Sequence, residues 1–494
     1  MYNHKQENNM HRIEDLDEYL KKFPTYEVLL AMGQYSIDLY IKNYYFYNYP
    51  VFMNGRKYSV TITQHGLAYL AFRSIYVSND GKSKNFTEMD LMRAVSIYND
   101  LYEPFVDDHD FTSLMIRMGY EQFSPWQVSN FRFLLARYYS IFNNSNLKND
   151  FKKCTSLSLE NYIYIGMLVY FLLYQNKNCC IPLEKVLISQ DKKLKNILTS
   201  ENIENFLILT SGDYWTIRKI AKEHLSILGY EKYEFNPLIK YPIIKADRRF
   251  FYSINCPYII PNIILLLNKV TDGIYWILRD YYKQMDSSEF SGKFGDLFKE
   301  YVGILLKEYF GEENVIDLDQ ELAESSGKKA DWWVKSKMSE IIIECKSSLI
   351  VEPVRRVADL KLLKVELSQK FSRAIEQLLS TDEQLPKASG VKRYLLIITF
   401  EELYFWEMPA IKNLIYEDTE KFYIMSISEL EAIEPWIRKY GIENIFAKKE
   451  QIDKENDISK GRDFLAVCRY IDNTLTPENS FLDIVYQEIY EKIK

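Results

Sequence analysis

The run Ile341-Ile342-Ile343-Glu344-Cys345-Lys346 limits this chain's folding options more than any other segment. It is a short β-branched stretch that ends in an acid and a base two residues apart. In a strand, side chains two apart share a face. Glu344 and Lys346 then project together with Ile342 behind them, and Ile341, Ile343 and Cys345 take the opposite face. The preceding Lys328-Lys329-Ala330-Asp331-Trp332-Trp333-Val334, the turn-like stretch from Lys335 to Ser339 and this run read as one hairpin. That hairpin delivers Asp331, Glu344 and Lys346 to one point. A plainer reading competes, a surface hairpin carrying an ordinary Glu/Lys pair, because a D…ExK string is short and degenerate.

The flanking periodicity favours a chemical role. Phe294, Phe298, Tyr301, Val302, Leu305 and Tyr309 form one apolar stripe at helical spacing. After the hairpin, Leu360, Leu363, Leu367, Phe371, Ala374 and Leu378 predict a second amphipathic helix. Apolar strands follow at Tyr394–Ile398 and Phe422–Met425. The order helix, hairpin, helix, strand, strand, helix predicts an α/β core. On the second helix Lys370, Arg373 and Gln377 share a face, and a solvated helix face would carry the same residues.

This pattern resembles the PD-(D/E)xK nuclease superfamily, the restriction-endonuclease-like fold, with Ala330-Asp331 in place of Pro-Asp and Glu344-Cys345-Lys346 as the (D/E)xK element. The resemblance implies an α/β/α core with a mixed sheet over residues 286–447. It also implies a Mg²⁺- or Mn²⁺-dependent phosphodiesterase in which Asp331 and Glu344 hold the metal. Lys346 would orient the attacking water or stabilise developing charge, and Gln377 resembles the accessory glutamine of some relatives. DNA is the expected substrate because most relatives of this fold cut DNA. One departure stands out. Related nucleases often carry a Glu directly after a Phe in the first helix, whereas Phe298 is followed by Lys299, and Glu300 falls well off the apolar stripe. The proline-punctuated segment before the core resembles bacterial anti-phage defence proteins. That likeness implies a phage-derived trigger or a partner defence subunit, with homo-oligomerisation left open.

At 494 residues and 47% hydrophobic content, the chain is long enough for more than one core. Its formal net charge of −7 argues against a protein that coats nucleic acid by bulk electrostatics. Local basic clusters must carry any such contact, and the candidates are Arg355-Arg356 with Lys361 and Lys364, Lys245 with Arg248-Arg249, and Lys370 with Arg373. Six cysteines without regular spacing suggest neither a zinc site nor a disulfide framework, which points to a reducing cytoplasm. The longest apolar stretch, Tyr162 to Tyr174, is too short to cross a bilayer. The N-terminus reads without a signal-peptide apolar region.

Composition divides the chain into four parts. Residues 1–235 read as a mostly helical regulatory, sensing or assembly domain, with an independent core and a small strand pair around Val51 to Ile62 turning at Asn54-Gly55. Residues 236–285 read as a connector punctuated by Pro237, Pro242, Pro257 and Pro261. Residues 286–447 carry the nuclease pattern, and 448–494 read as a C-terminal helical element. Forty tyrosines suit base stacking, but aromatics in helical arrays are more simply core. Two further function classes compete. Arg218 and His224 fit the spacing of metal-independent HEPN ribonucleases, with His224 as general base, and the α/β part could be a degenerate nuclease that only binds nucleic acid or a partner. With no histidine after His224, a histidine-based hydrolase or HNH nuclease in the C-terminal half is excluded.

Overall fold

The computed structural model describes residues 11–44, 46–53, 56–77, 84–101, 119, 131–143, 145–180, 194–224, 235–245, 257–323, 328–336, 338–349, 360–387, 389–403, 422–455 and 462–494. Within them the fold is mixed α/β and rich in helix. The strand pair expected near Val51 forms as β1 (Phe46–Met53) and β2 (Arg56–Thr63), antiparallel with Met53 opposite Arg56. Asn54-Gly55 itself lies outside the described residues. A three-stranded sheet joins β3 (Ser211–Gly212), β4 (Ile243–Lys245) and β5 (Tyr258–Ile259).

The largest sheet has the order β10-β9-β8-β7-β6. Its strands are β6 (Val315–Asp317), β7 (Trp332–Lys335), β8 (Ser339–Lys346), β9 (Lys392–Thr399) and β10 (Tyr423–Ser426). β6, β7 and β8 pair antiparallel, while β8, β9 and β10 pair parallel. A parallel step needs a crossover, and the helix Leu360–Gln384 lies in the connection from β8 to β9. Alternation along each strand separates two cores. Trp332, Val334, Ile341, Ile343, Leu396 and Ile398 join the larger core, with Phe294, Phe298 and Leu305 of the helix Glu289–Phe310. Trp333, Ile342, Leu395 and Ile397 pack instead under Leu363, Leu367, Phe371 and Leu378 of the crossover helix.

The larger core runs without a break from Leu16 to Ile493. The N-terminal helices therefore share a core with one face of the sheet rather than closing around their own. The described part of the proline-punctuated stretch is not an exposed link. Ile263–Val270 is a buried helix, apolar nearly all round, laid against the helix Leu159–Asn176 at Gly166, where a Cβ would sit 2.5 Å from Val270 Cγ2. Buried Asn262 caps it, accepting from the amides of Ile264 (3.0 Å) and Leu265 (3.2 Å) while donating to the Gln64 carbonyl (3.0 Å). The next helix runs from Gly273 to Gln284.

The helix Ile442–Glu455 passes straight through the boundary expected at 448, and its Phe446 stacks on Tyr394 of β9 with ring centroids 4.2 Å apart. The final helix, Ser480–Ile493, returns to the N-terminal helices, where Tyr490 meets Phe171 at 5.8 Å. Arg137 joins the halves more firmly. Buried in the helix Phe131–Asn143, it donates to Glu431 through Nε (2.7 Å) and Nη2 (2.5 Å), and Tyr301 donates to the same carboxylate at 2.7 Å. Cys180 is disulfide-bonded, although the cysteine spacing suggests no disulfide framework, and Cys154, Cys179, Cys345 and Cys468 are free thiols. Among the described residues no single helix is long and apolar enough to cross a membrane.

Candidate active site

β8 is buried up to its last residues, and its alternation puts Ile342, Glu344 and Lys346 on the face beneath the crossover helix. Trp332 pairs with Ile343, so the next step of the register sets Asp331 opposite Glu344. Hydrogen bonds hold it there. The Asp331 amide donates to the Ile343 carbonyl (2.9 Å), and its Oδ2 accepts from the Cys345 amide (2.7 Å). Lys346 Nζ donates to Glu344 Oε1 at 2.6 Å and to Gln377 Oε1 at 3.3 Å. The structure therefore brings Asp331, Glu344, Lys346 and Gln377 together at the end of β8.

The electrostatics follow from burial. Glu344 is 2% exposed, and its Oε2 has no hydrogen-bond partner. Burial, reinforced by the charge of Asp331 and opposed by Lys346, pushes its carboxyl up to about 8. Burial also raises Asp331, against the Cys345 amide, Lys299 and Lys346. Two acids with raised pKa set across the register from each other, one of them buried, are costly for folding alone, which marks them as functional candidates.

The crossover helix fixes the strand that carries Asp331. Gln377 Nε2 donates to the Lys329 carbonyl (2.6 Å). One turn later, buried Thr381 Oγ1 accepts from the Ala330 amide (2.8 Å). Sequence reasoning missed Thr381, since a lone threonine in an amphipathic helix carries no signal of its own. It also missed Lys299 as a member of the site. Lys299 donates to Asp319 Oδ2 (2.6 Å) and Asp317 Oδ1 (3.1 Å), and lies 3.7 Å from Asp331 Oδ1. Burial disfavours its charge, but these acids outweigh burial and raise its pKa. Glu300, the nearest acid to the expected helix position, is exposed.

The other candidates fare differently. Lys370 is engaged by the Leu349 carbonyl and by Glu366 at 3.1 Å, so it does not stand ready for a nucleic-acid backbone. Arg373 is exposed on the same helix. Arg355 and Arg356 lie outside the described residues. Arg218 and His224 share the helix Tyr214–His224, but six residues place them about 120° apart around it. Arg218 Nε donates to the Ile75 carbonyl (2.8 Å), and exposed His224 lies against Phe235 with centroids 4.8 Å apart. The ribonuclease pairing is not assembled.

No family model matches this chain, and no curated protein or solved structure matches it.

Proposed function

We propose that this chain is a metal-dependent nuclease of the PD-(D/E)xK type that hydrolyses phosphodiester bonds, with DNA as substrate. The observation that carries the reading is the convergence of Asp331, Glu344 and Lys346 on one end of β8, with Glu344 Oε2 buried and without a partner. Further support comes from the strand order β10-β9-β8-β7-β6, three strands antiparallel and then two parallel steps. A helix packs on each face of that sheet, the α/β/α layering that the sequence pattern implies.

The donor set fits a hard divalent cation, because the unpartnered Glu344 oxygen and the Asp331 carboxyl across the register are both oxygen ligands, and a bound cation would favour their charged forms. Among the described residues no group of three or more His, Cys, Asp or Glu gathers to hold a metal, so Asp331 and Glu344 would hold it with water filling the remaining positions, as Mg²⁺ prefers. Held there, a cation would supply polarisation of the scissile phosphate and a lowered pKa for water. Lys346, hydrogen-bonded to Glu344, would stabilise negative charge as it develops on the phosphate. Gln377 accepts from that ammonium and braces the strand behind Asp331, so it orients the site without touching the reacting atoms.

For the biological setting we carry forward bacterial anti-phage defence, which rests on the likeness of the proline-punctuated segment. The direct test is cleavage of DNA and RNA in Mg²⁺, Mn²⁺ and EDTA by the full chain. Phage survival in cells carrying wild type or Glu344→Gln tests the setting, and equal restriction by both would separate defence from cleavage.

A further inference from the structure

Lys299 is held from several directions at once. Its ammonium contacts Asp319, Asp317 and Asp331 at 2.6, 3.1 and 3.7 Å, and it lies 5.6 Å from the centre of the Trp332 ring. Trp332 Nε1 donates back to the Lys299 carbonyl at 3.2 Å. Close approach of the indole depends on Gly303, where a Cβ would overlap the ring. The side chain is only 17% exposed. An ammonium fixed this way does not swing aside cheaply, because moving it leaves Asp317 facing Asp331 with nothing between them.

We infer that Lys299 is a built-in counter-ion for the site, one that a divalent cation must work against when it binds Asp331 and Glu344. This rests on the metal-binding reading above and extends it to affinity and stoichiometry. A divalent ion on Asp331 lies within a few ångströms of the Lys299 charge, in surroundings where such repulsion is poorly screened. Lys299 also stands between Asp331 and Asp317, where a second divalent ion would have to bridge. The site therefore takes one ion, and takes it weakly. Lys299 acts here as a positioning residue, setting the charge around Asp331 without touching substrate.

The test is Mn²⁺ titration of the full chain, followed by calorimetry and by the spin-resonance signal of free Mn²⁺, with no substrate present. Wild type binds one Mn²⁺. Lys299→Gln and Lys299→Met, the latter keeping the apolar stem beside Trp332, bind it on the order of tenfold more tightly. Lys299→Arg stays near wild type, and Glu344→Gln abolishes binding in every background. Unchanged or weaker Mn²⁺ binding in folded Lys299→Gln and Lys299→Met, with wild type still binding one ion, overturns this inference alone and leaves the lysine a structural brace. Two ions bound by wild type also overturn it. Absence of binding in wild type and in all variants, or binding that survives Glu344→Gln, removes the metal-site reading and this inference together.

Discussion

Glu344 gives one oxygen to Lys346 and leaves the other buried without a partner, and the consequences can be measured one residue at a time. Asp331→Asn, Glu344→Gln and Lys346→Ala should each lower single-turnover cleavage by on the order of a hundredfold or more. The first two should also abolish Mn²⁺ binding, and Lys346→Ala should not. Glu344→Gln should melt no lower than wild type at neutral pH, since burial already pushes this carboxyl up to about 8 and favours its neutral form, so inactivity there cannot be blamed on unfolding. Lys269, far from this chemistry in sequence, gives a pH signature. It is buried, and burial, helped by Lys240 and opposed by Asp272 and Asp280, lowers its pKa from 10.5 to about 8. Between those values the unfolded chain binds more protons than the folded one, so stability rises with pH across that window. Below pH 8 the buried ammonium costs its full amount. Lys269→Met should then stabilise the protein by roughly 1–3 kcal/mol at pH 7, with the gain shrinking as pH climbs past 8 in denaturant titrations.

At the scale of elements, the crossover helix acts as a clamp on the strand that carries Asp331. Thr381→Val leaves the buried Ala330 amide unpaired and should cost about 1–3 kcal/mol in chemical denaturation, lowering activity at temperatures where the fold survives. Serine at the same position should restore most of the loss by keeping the hydroxyl. Elements with a clear period were legible beforehand. The hairpin of β7 and β8 reads as two apolar runs either side of a turn, and the helices Glu289–Phe310 and Leu360–Gln384 each carry one apolar stripe. Ile263–Val270 was not legible as a helix, because an apolar run with no polar face has no helical period to detect. Nor was β6, since Val315-Ile316-Asp317 is too short to alternate. Lys299 was visible as a departure from the expected acid, yet its meaning lay in Asp317 and Asp319, 18 and 20 residues further on. Only the pairing of β6 with β7 carries Asp317 to it.

The whole molecule is tied together more closely than the composition shifts imply. Proline density reads as a linker, but the segment after those prolines fills the N-terminal core, and one apolar core continues to the last helix. Across that core, the Arg137–Glu431 pair is buried on both sides. Arg137→Ala should therefore destabilise the full chain by about 3–5 kcal/mol, because it strands the Glu431 carboxylate, and thermal unfolding should remain a single transition. A fragment spanning residues 286–494 should fail to stay monomeric in sedimentation, since it bares the apolar faces of the helices Glu289–Phe310 and Ser480–Ile493 that the N-terminal helices cover. The central claim concerns chemistry, and one comparison tests it most directly: cleavage of DNA by purified full-length wild type and Glu344→Gln, in Mg²⁺ or Mn²⁺ and again in EDTA. We expect cleavage by wild type with metal alone, and none by Glu344→Gln under any condition. Cleavage that persists in EDTA, or an equally active and folded Glu344→Gln, would contradict it.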